Sequence, residues 1–202
     1  MPRRMPLVVS HYTFNTEYEK IVGRLKASLK RFDLDYYIEG IHTQGSWRKN
    51  SNYCAKLIQD CFYKFPERTL LRVDADAVIQ KSPDLFTEEQ FDADIAACVY
   101  DFSYRKNEFL GGTMFFNNTS RVRIIVNEWS QLACGDRFNE RNGDLLQELI
   151  EKYSDVIKFV SLPPSYCKIF DRMDDAGDPV IEHFQASRRN RILVNAMGEK
   201  NA

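Results

Sequence analysis

The segment Leu70-Leu71-Arg72-Val73-Asp74-Ala75-Asp76-Ala77-Val78 decides the reading of this chain. Its first half has the apolar, β-branched character of a strand buried in a sheet. Its second half sets two carboxylates two residues apart where that strand ends. In an extended segment this spacing turns both side chains to the same side, and two such charges are costly there unless something positive lies between them. A divalent cation that prefers hard oxygen ligands, Mn²⁺ or Mg²⁺, meets that need and keeps positions open for water and for substrate phosphates. Ala75 leaves room for a ligand between the two aspartates. Aspartates at a strand end also cap turns, and spacing alone does not choose between the two readings.

Working outward toward the N-terminus, Thr69 to Val73 is predicted as a central strand, preceded by a helix with Cys54, Leu57, Ile58, Cys61, Phe62 and Phe65 on one stripe and Pro66 at its end. Leu34 to Ile38 reads as another strand. Before it, Thr16-Glu17-Tyr18-Glu19 opens a helix as a capping box, with Tyr18, Ile21, Val22, Leu25, Leu29 and Phe32 on one face. Leu7 to Val9 is the first strand. Strand, helix, strand, helix, strand is the opening of an α/β sandwich with a mostly parallel central sheet flanked by helices, and ligands are expected beyond the carboxyl ends of its strands. That order places Ser10, His11 and Thr13 beside Asp74 and Asp76.

Toward the C-terminus, Ile95 to Val99 and Thr113 to Phe116 are predicted strands. A helix with Val122, Ile125, Val126 and Trp129 on one face follows, and Trp129 on that stripe belongs to the core. Another helix carries Leu145, Leu146, Leu149 and Ile150, with Asp144 at its start as the N-cap. Val156 to Ile181 is less regular. His183, after the strand-like run Val180-Ile181, lies among polar neighbours; a neutral imidazole there can complete a carboxylate site, and a partly exposed surface histidine is the alternative. A last amphipathic segment runs from Gln185 to Met197 and stops at Gly198; Ser187, Arg188 and Arg189 open its helix, where backbone N–H and guanidinium groups suit phosphate oxygens. As a charge run alone, the arginines are an ordinary solvated face.

Composition bounds the rest. With 44% apolar and 13% aromatic residues, 202 residues suit one compact domain, taken here as 1–202. The 28 basic and 29 acidic residues nearly cancel, so no global field favours a nucleic acid or an anionic membrane. Five scattered cysteines, without a C-x-x-C pair, read as reduced core residues of a cytoplasmic chain. The apolar run near the start is too short for a signal peptide or a membrane span.

Together these pieces resemble the GT-A glycosyltransferases, which are built on a nucleotide-diphosphosugar-binding α/β domain. Asp74-Ala75-Asp76 matches the family's DXD motif, and the stretch from Val73 through Pro83-Asp84-Leu85-Phe86 is similar to its usual continuation. Leu162-Pro163-Pro164-Ser165-Tyr166-Cys167 also resembles a family segment. The resemblance implies a transferase that takes a sugar from a nucleotide-diphosphate donor, most often a UDP-sugar. It implies Mn²⁺ or Mg²⁺ held by Asp74, Asp76 and His183. It further implies a nucleotide pocket lined by Ser10, His11 and Thr13, donor contacts from Gly45-Ser46-Trp47 with Asn50 and from Lys56, and Gly111 and Gly112 in a strand beneath the sugar. A β-bulge explains those glycines as well. Asp144 resembles a carboxylate that enters the active site in several relatives and is the candidate base. Arg188 or Lys168 is a candidate for neutralising the leaving group.

The acceptor is left open as a glycan, a small molecule, a protein or a modified DNA base. Phe102, Tyr104, Arg105 and Lys106 interleave aromatic and cationic groups in the manner of an acceptor lip, which for DNA would act with Arg188, Arg189 and Arg191. Two rival readings share these residues. A metal-dependent nucleotidyltransferase would need a glycine-rich basic loop near the first strand, and Ser10-His11-Tyr12-Thr13-Phe14 is not one. A noncatalytic nucleotide-sugar-binding domain has no need of three potential ligands.

Overall fold

The computed structural model describes residues 4–88 and 91–186. In chain order the elements are β1 (Leu7–Thr13), α1 (Glu17–Arg31), β2 (Tyr36–Ile41), α2 (Trp47–Lys64), β3 (Leu70–Val73), β4 (Ala77–Ile79), β5 (Ile95–Tyr100), β6 (Glu108–Phe116), α3 (Ser120–Cys134), α4 (Asn142–Lys152), β7 (Phe159–Ser161), β8 (Lys168–Ile169) and β9 (Ile181–His183). Six strands form the main sheet in the order β2-β1-β3-β6-β5-β7, and β4-β9-β8 form a small second one.

Local chemistry explains the helix boundaries. The Tyr18 N–H donates to Thr16 Oγ1 and the Asn15 N–H to Glu19 Oε2, so the capping box works with its acidic half reaching one residue further back. Asp33, in the left-handed region at φ 51°, ends α1 and lets the Leu34 N–H reach back to the Leu29 carbonyl, which turns the chain into β2. Ser46 caps α2 through the Lys49 N–H.

The sheet is covered on both faces, and strand alternation divides its side chains between two cores. Leu7, Val9, Leu70, Met114 and Phe116 pack under α2, α3 and α4 around the fully buried Trp129. Val8, Leu71, Val73 and Phe115 face the other way, into a cluster with Leu25 and Leu29 of α1 and with Phe86. Phe86 lies parallel to Phe115 at 5.6 Å, which gives the Pro83-to-Phe86 segment a packing role of its own. Four of the five cysteines are buried and Cys134 is exposed, against the expectation of core positions throughout; all five are free.

Five of the six strands point the same way, as expected of a mostly parallel sheet, and two features of the sixth, β6, matter for the site. The sheet is mixed: β1 runs parallel to β2 and β3, and β5 parallel to β7, but β6 is antiparallel to both neighbours. Strand direction depends on long-range pairing and leaves no periodic trace. The β5–β6 register also slips, so that Ala97 faces Met114 while Cys98 faces Leu110. Gly111, Gly112 and Thr113 bulge out between those pairs, re-aiming this stretch toward the ends of β3 and β1. Among the described residues no helix is long and apolar enough to cross a membrane.

Candidate active site

Asp74-Ala75-Asp76 is the corner where the chain leaves the main sheet at β3 and enters the small one at β4. The corner is closed by the Ala77 N–H donating to the Asp74 carbonyl. In the small sheet Ala77 lies directly opposite His183 on β9, and in the main sheet Val73 lies opposite Thr113 on β6. Register alone therefore brings Asp74, Asp76, Thr113 and His183 together from positions 70 to 183. One ligand atom from each of Asp74, Asp76 and His183 lies within 4.8 Å of the others.

Each of these groups is oriented. His183 is buried, and its Nε2 lies 2.9 Å from Thr113 Oγ1; with the proton on Nε2 and donated to that hydroxyl, Nδ1 keeps its lone pair. Nδ1 has no hydrogen-bond partner and lies 3.9 Å from Asp74 Oδ2. Burial, and secondarily Arg72, hold the imidazole down at a pKa of about 4 against the pull of Asp74, so it is neutral at pH 7. Asp76 accepts the Ala186 N–H at 2.7 Å, yet burial and then the Asp74 carboxylate push its pKa well above the usual range. Asp74 Oδ1 is ion-paired with the buried Arg72, whose guanidinium also donates to the Gly111 carbonyl exposed by the bulge. A Cβ on Gly112 would stand 3.1 Å from His183 Nδ1 and 3.3 Å from Asp74 Oδ2, inside the same cradle.

These features fit a divalent cation: two carboxylates and a neutral nitrogen, an orphaned buried lone pair, and a space that only glycine leaves clear. The cluster forms the floor of a cleft of about 250 Å³. His11, Thr13, Trp47, Asn50, Ala75, Gly111 and Gly112 line it, together with Asp74, Asp76 and His183. His11 Nε2 lies 2.8 Å from the Asn50 carbonyl, and burial holds its pKa at about 4. The Asn50 amide is occupied with Gln44 and Thr43, shaping the loop before α2.

Other expected site residues lie elsewhere. Ser10 is buried behind the lining, and Lys56 pairs with Asp60 along α2, outside it. Lys168 donates to the Gly177 carbonyl. Asp144 is the third residue of α4, not its cap, which is Arg141. Its carboxylate sits just beyond the lining, 3.3 Å from Arg105 and 3.8 Å from Arg141. Gln185, the start of the last amphipathic segment, lines the cleft, whereas Ser187, Arg188, Arg189, Arg191 and the rest of that segment lie outside the described residues.

The cleft also contains residues the sequence reading passed over. Arg72 lies at the floor, with the fully buried Thr113 behind it holding His183, while Glu108, Arg141, Asn142 and Arg172 form the walls. Arg72 was visible as a charge inside an otherwise apolar strand. The others carried no local signal, because a bulge or a distant pairing brings them here.

No protein-family model matches the chain, and no curated protein matches it in sequence. Solved structures match in shape. The crystal structure of a glycosyltransferase involved in the glycosylation of the major capsid of PBCV-1 superposes with a TM-score of 0.68 at 13% identity, over 96% of this chain and 100% of that one. The glycosyltransferase GlyE of Streptococcus pneumoniae TIGR4 gives 0.61 at 16% identity; 97% of this chain is covered, and it spans 60% of the GlyE chain. At these identities the likeness is one of fold. With its mixed sheet, its Asp-x-Asp corner and these neighbours, the chain has the GT-A fold of glycosyltransferases.

Proposed function

We propose that the chain is a metal-dependent glycosyltransferase. It moves a sugar from a nucleotide-diphosphate donor, a UDP-sugar first, to a hydroxyl acceptor. The observation that carries this reading is the buried, unpartnered Nδ1 of His183 beside two aspartates on the floor of a GT-A cleft. When bound there, Mn²⁺ or Mg²⁺ supplies positive charge for the two phosphates of the leaving group.

The chain's own residues set up that position. Thr113 fixes the His183 ring, Arg72 ties down one oxygen of Asp74 so that the other lies toward His183, and Gly112 keeps the space between them clear. Asp74 and Asp76 against Arg72 leave one net negative charge, too little to neutralise a divalent ion alone and suited to sharing it with a diphosphate. Gly111 and Gly112 lie where a donor sugar approaches backbone. His11, Thr13, Trp47 and Asn50 form the wall for the nucleotide, and Ser187 and Arg188 are candidates for phosphate contacts. At about 250 Å³ the cleft is somewhat smaller than the roughly 300–1,000 Å³ of pockets that enclose a small ligand, so part of the donor sits at the open mouth.

In the transfer, the acceptor oxygen bonds to the anomeric carbon, the bond from that carbon to the diphosphate oxygen breaks with its electron pair, and the acceptor proton leaves to a base. Asp144 takes that role in an inverting reaction by exchanging Arg105 and Arg141 for the acceptor; Glu108 is the other carboxylate at this wall. Product anomer analysis by NMR shows whether the transfer inverts, the outcome for which Asp144 is assigned as base. Five free cysteines suit a cytoplasmic setting.

A screen of UDP-, GDP-, CMP- and dTDP-sugars with and without Mn²⁺, read as binding and hydrolysis, tests the proposal. Metal-dependent release of a nucleoside diphosphate supports it. Release of pyrophosphate points to nucleotidyl transfer, and absence of any nucleotide-sugar binding returns the chain to a noncatalytic role.

A further inference from the structure

Beside the cleft lies a second concavity that shares Phe102, Tyr104 and Arg172 with it and is walled by Tyr100, Asp101, Ser103 and Asp175. We propose that this shelf is a carbohydrate subsite, which makes the acceptor a neutral sugar whose ring lies on Tyr104. The assignment of the sugar as acceptor rests on the glycosyl-transfer reading above.

The shelf is built around one flat ring. Phe102 is buried and stacked on Tyr104 at 5.1 Å and 18°, with Tyr100 packed edge-on to Phe102 at 4.7 Å. The Tyr104 hydroxyl accepts from Arg172 at 3.4 Å. Tyr104 is thus fixed in plane from one side and at its tip, yet is 65% exposed. Its ring continues the wall of the donor cleft, so a molecule on it reaches toward the metal-binding floor.

The charges around the ring select the occupant. The interleaved cations of this segment suggested a nucleic-acid lip, but the structure pairs each with a carboxylate: Arg105 with Asp144 and Glu108, and Lys106 with Asp101 of the shelf itself. What lines the shelf is two carboxylates, three hydroxyls and one guanidinium, a surface without the net positive charge that attracts a polyanion. A pyranoside is complementary to it. One face of the sugar presents C–H groups, positive relative to the negative face of an aromatic ring. Its edge carries hydroxyls that donate to Asp101 and Asp175 and accept from Arg172.

Saturation-transfer-difference NMR on the full chain tests the shelf, using methyl glycosides of glucose, galactose, mannose and N-acetylglucosamine, with a single-stranded oligodeoxynucleotide and a serine-containing peptide as comparison ligands. Wild type is expected to saturate the C–H protons of at least one glycoside. Tyr104→Phe should keep that affinity within about twofold, whereas Tyr104→Ala and Asp175→Ala should each weaken it about tenfold or more. Preference for the oligonucleotide or the peptide, no response from any glycoside, or unchanged affinity in Tyr104→Ala overturns the proposal. Calorimetry of UDP with Mn²⁺ on the same samples separates this from the donor reading. Glycoside contact without nucleotide binding upholds the shelf as a carbohydrate site and removes the donor reading. Nucleotide binding without glycoside contact does the reverse.

Discussion

The floor and the rim of the cleft follow opposite rules. At the floor and the wall beside it polar atoms are buried and left without partners: His183 Nδ1 and Arg72 Nε at the floor and His11 Nδ1 at the wall all lack a hydrogen bond. At the rim charged groups are partly exposed and matched, Glu108 with Arg141 at 3.0 Å and Asp144 with Arg105. Matched surface pairs need no ligand and contribute little to stability. A buried orphan costs folding free energy; Ser10 Oγ and Asn52 Oδ1, outside the lining, are orphans as well, so what singles out the floor is His183 Nδ1 beside two carboxylates. The contrast supports the proposal that the floor binds the ligand, while the rim pairs give mainly local order.

The largest effect should come from breaking the floor. Asp76→Asn is expected to lower metal-dependent donor turnover by more than about 10²-fold. The same variant should melt a few degrees higher than wild type without metal. The sign follows from the raised pKa of Asp76: stability is lost as pH rises from the unfolded carboxylate value through the raised folded one, and the amide removes that loss at neutral pH. A turnover assay with Mn²⁺ checks the first half and thermal melts with and without Mn²⁺ the second; a variant less stable than wild type in both conditions would make Asp76 an ordinary structural residue.

Gly112→Ala sharpens the picture, because its new methyl would crowd His183 and Asp74. Mn²⁺–UDP affinity is expected to fall by roughly 10- to 100-fold with the circular dichroism spectrum retained, and Thr113→Val should do the same by releasing the His183 ring. Calorimetric titration reads both.

The histidines give a pH signature of intermediate size. His11 and His183 are held at about 4, below their ordinary 6.5, so the unfolded chain binds more protons between those values. Their contribution to stability is complete above pH 6.5 and is lost as pH falls toward 4. Asp76 acts in the opposite direction, so the slope should be steepest in Asp76→Asn. Denaturant unfolding at intervals across that range measures it.

At the rim, Arg105→Ala should change stability by no more than about 1 kcal/mol. A larger loss in denaturant melts would mean that the rim pairs are not the weak surface network described here.

Much of this arrangement could be read before the structure, and the reasons for the rest are specific. The Asp74–Asp76 pair, His183, the first three strands and the helix stripes are written in local pattern, where burial and period act over a few residues. The small sheet was missed because β4, β8 and β9 are two or three residues long and exist only through pairings such as Ala77 with His183. The direction of β6 and the bulge that delivers Thr113 are likewise products of pairing rather than period. Asp144 was expected at the helix cap, but α4 begins earlier: the Asn142 side chain donates to Ser51, and the Asn142 carbonyl accepts from Trp129 Nε1, anchors contributed by α2 and α3. Lys56 follows the helical phase of α2, which carries it out of the lining to Asp60.

The central claim is that His183 Nδ1 is a metal ligand. Pulsed electron paramagnetic resonance of Mn²⁺ bound together with UDP measures this directly, because a coordinated imidazole nitrogen modulates the electron spin echo. Wild type should show that nitrogen modulation, and His183→Ala should lose it. Mn²⁺ bound by the wild type without nitrogen modulation would contradict the account.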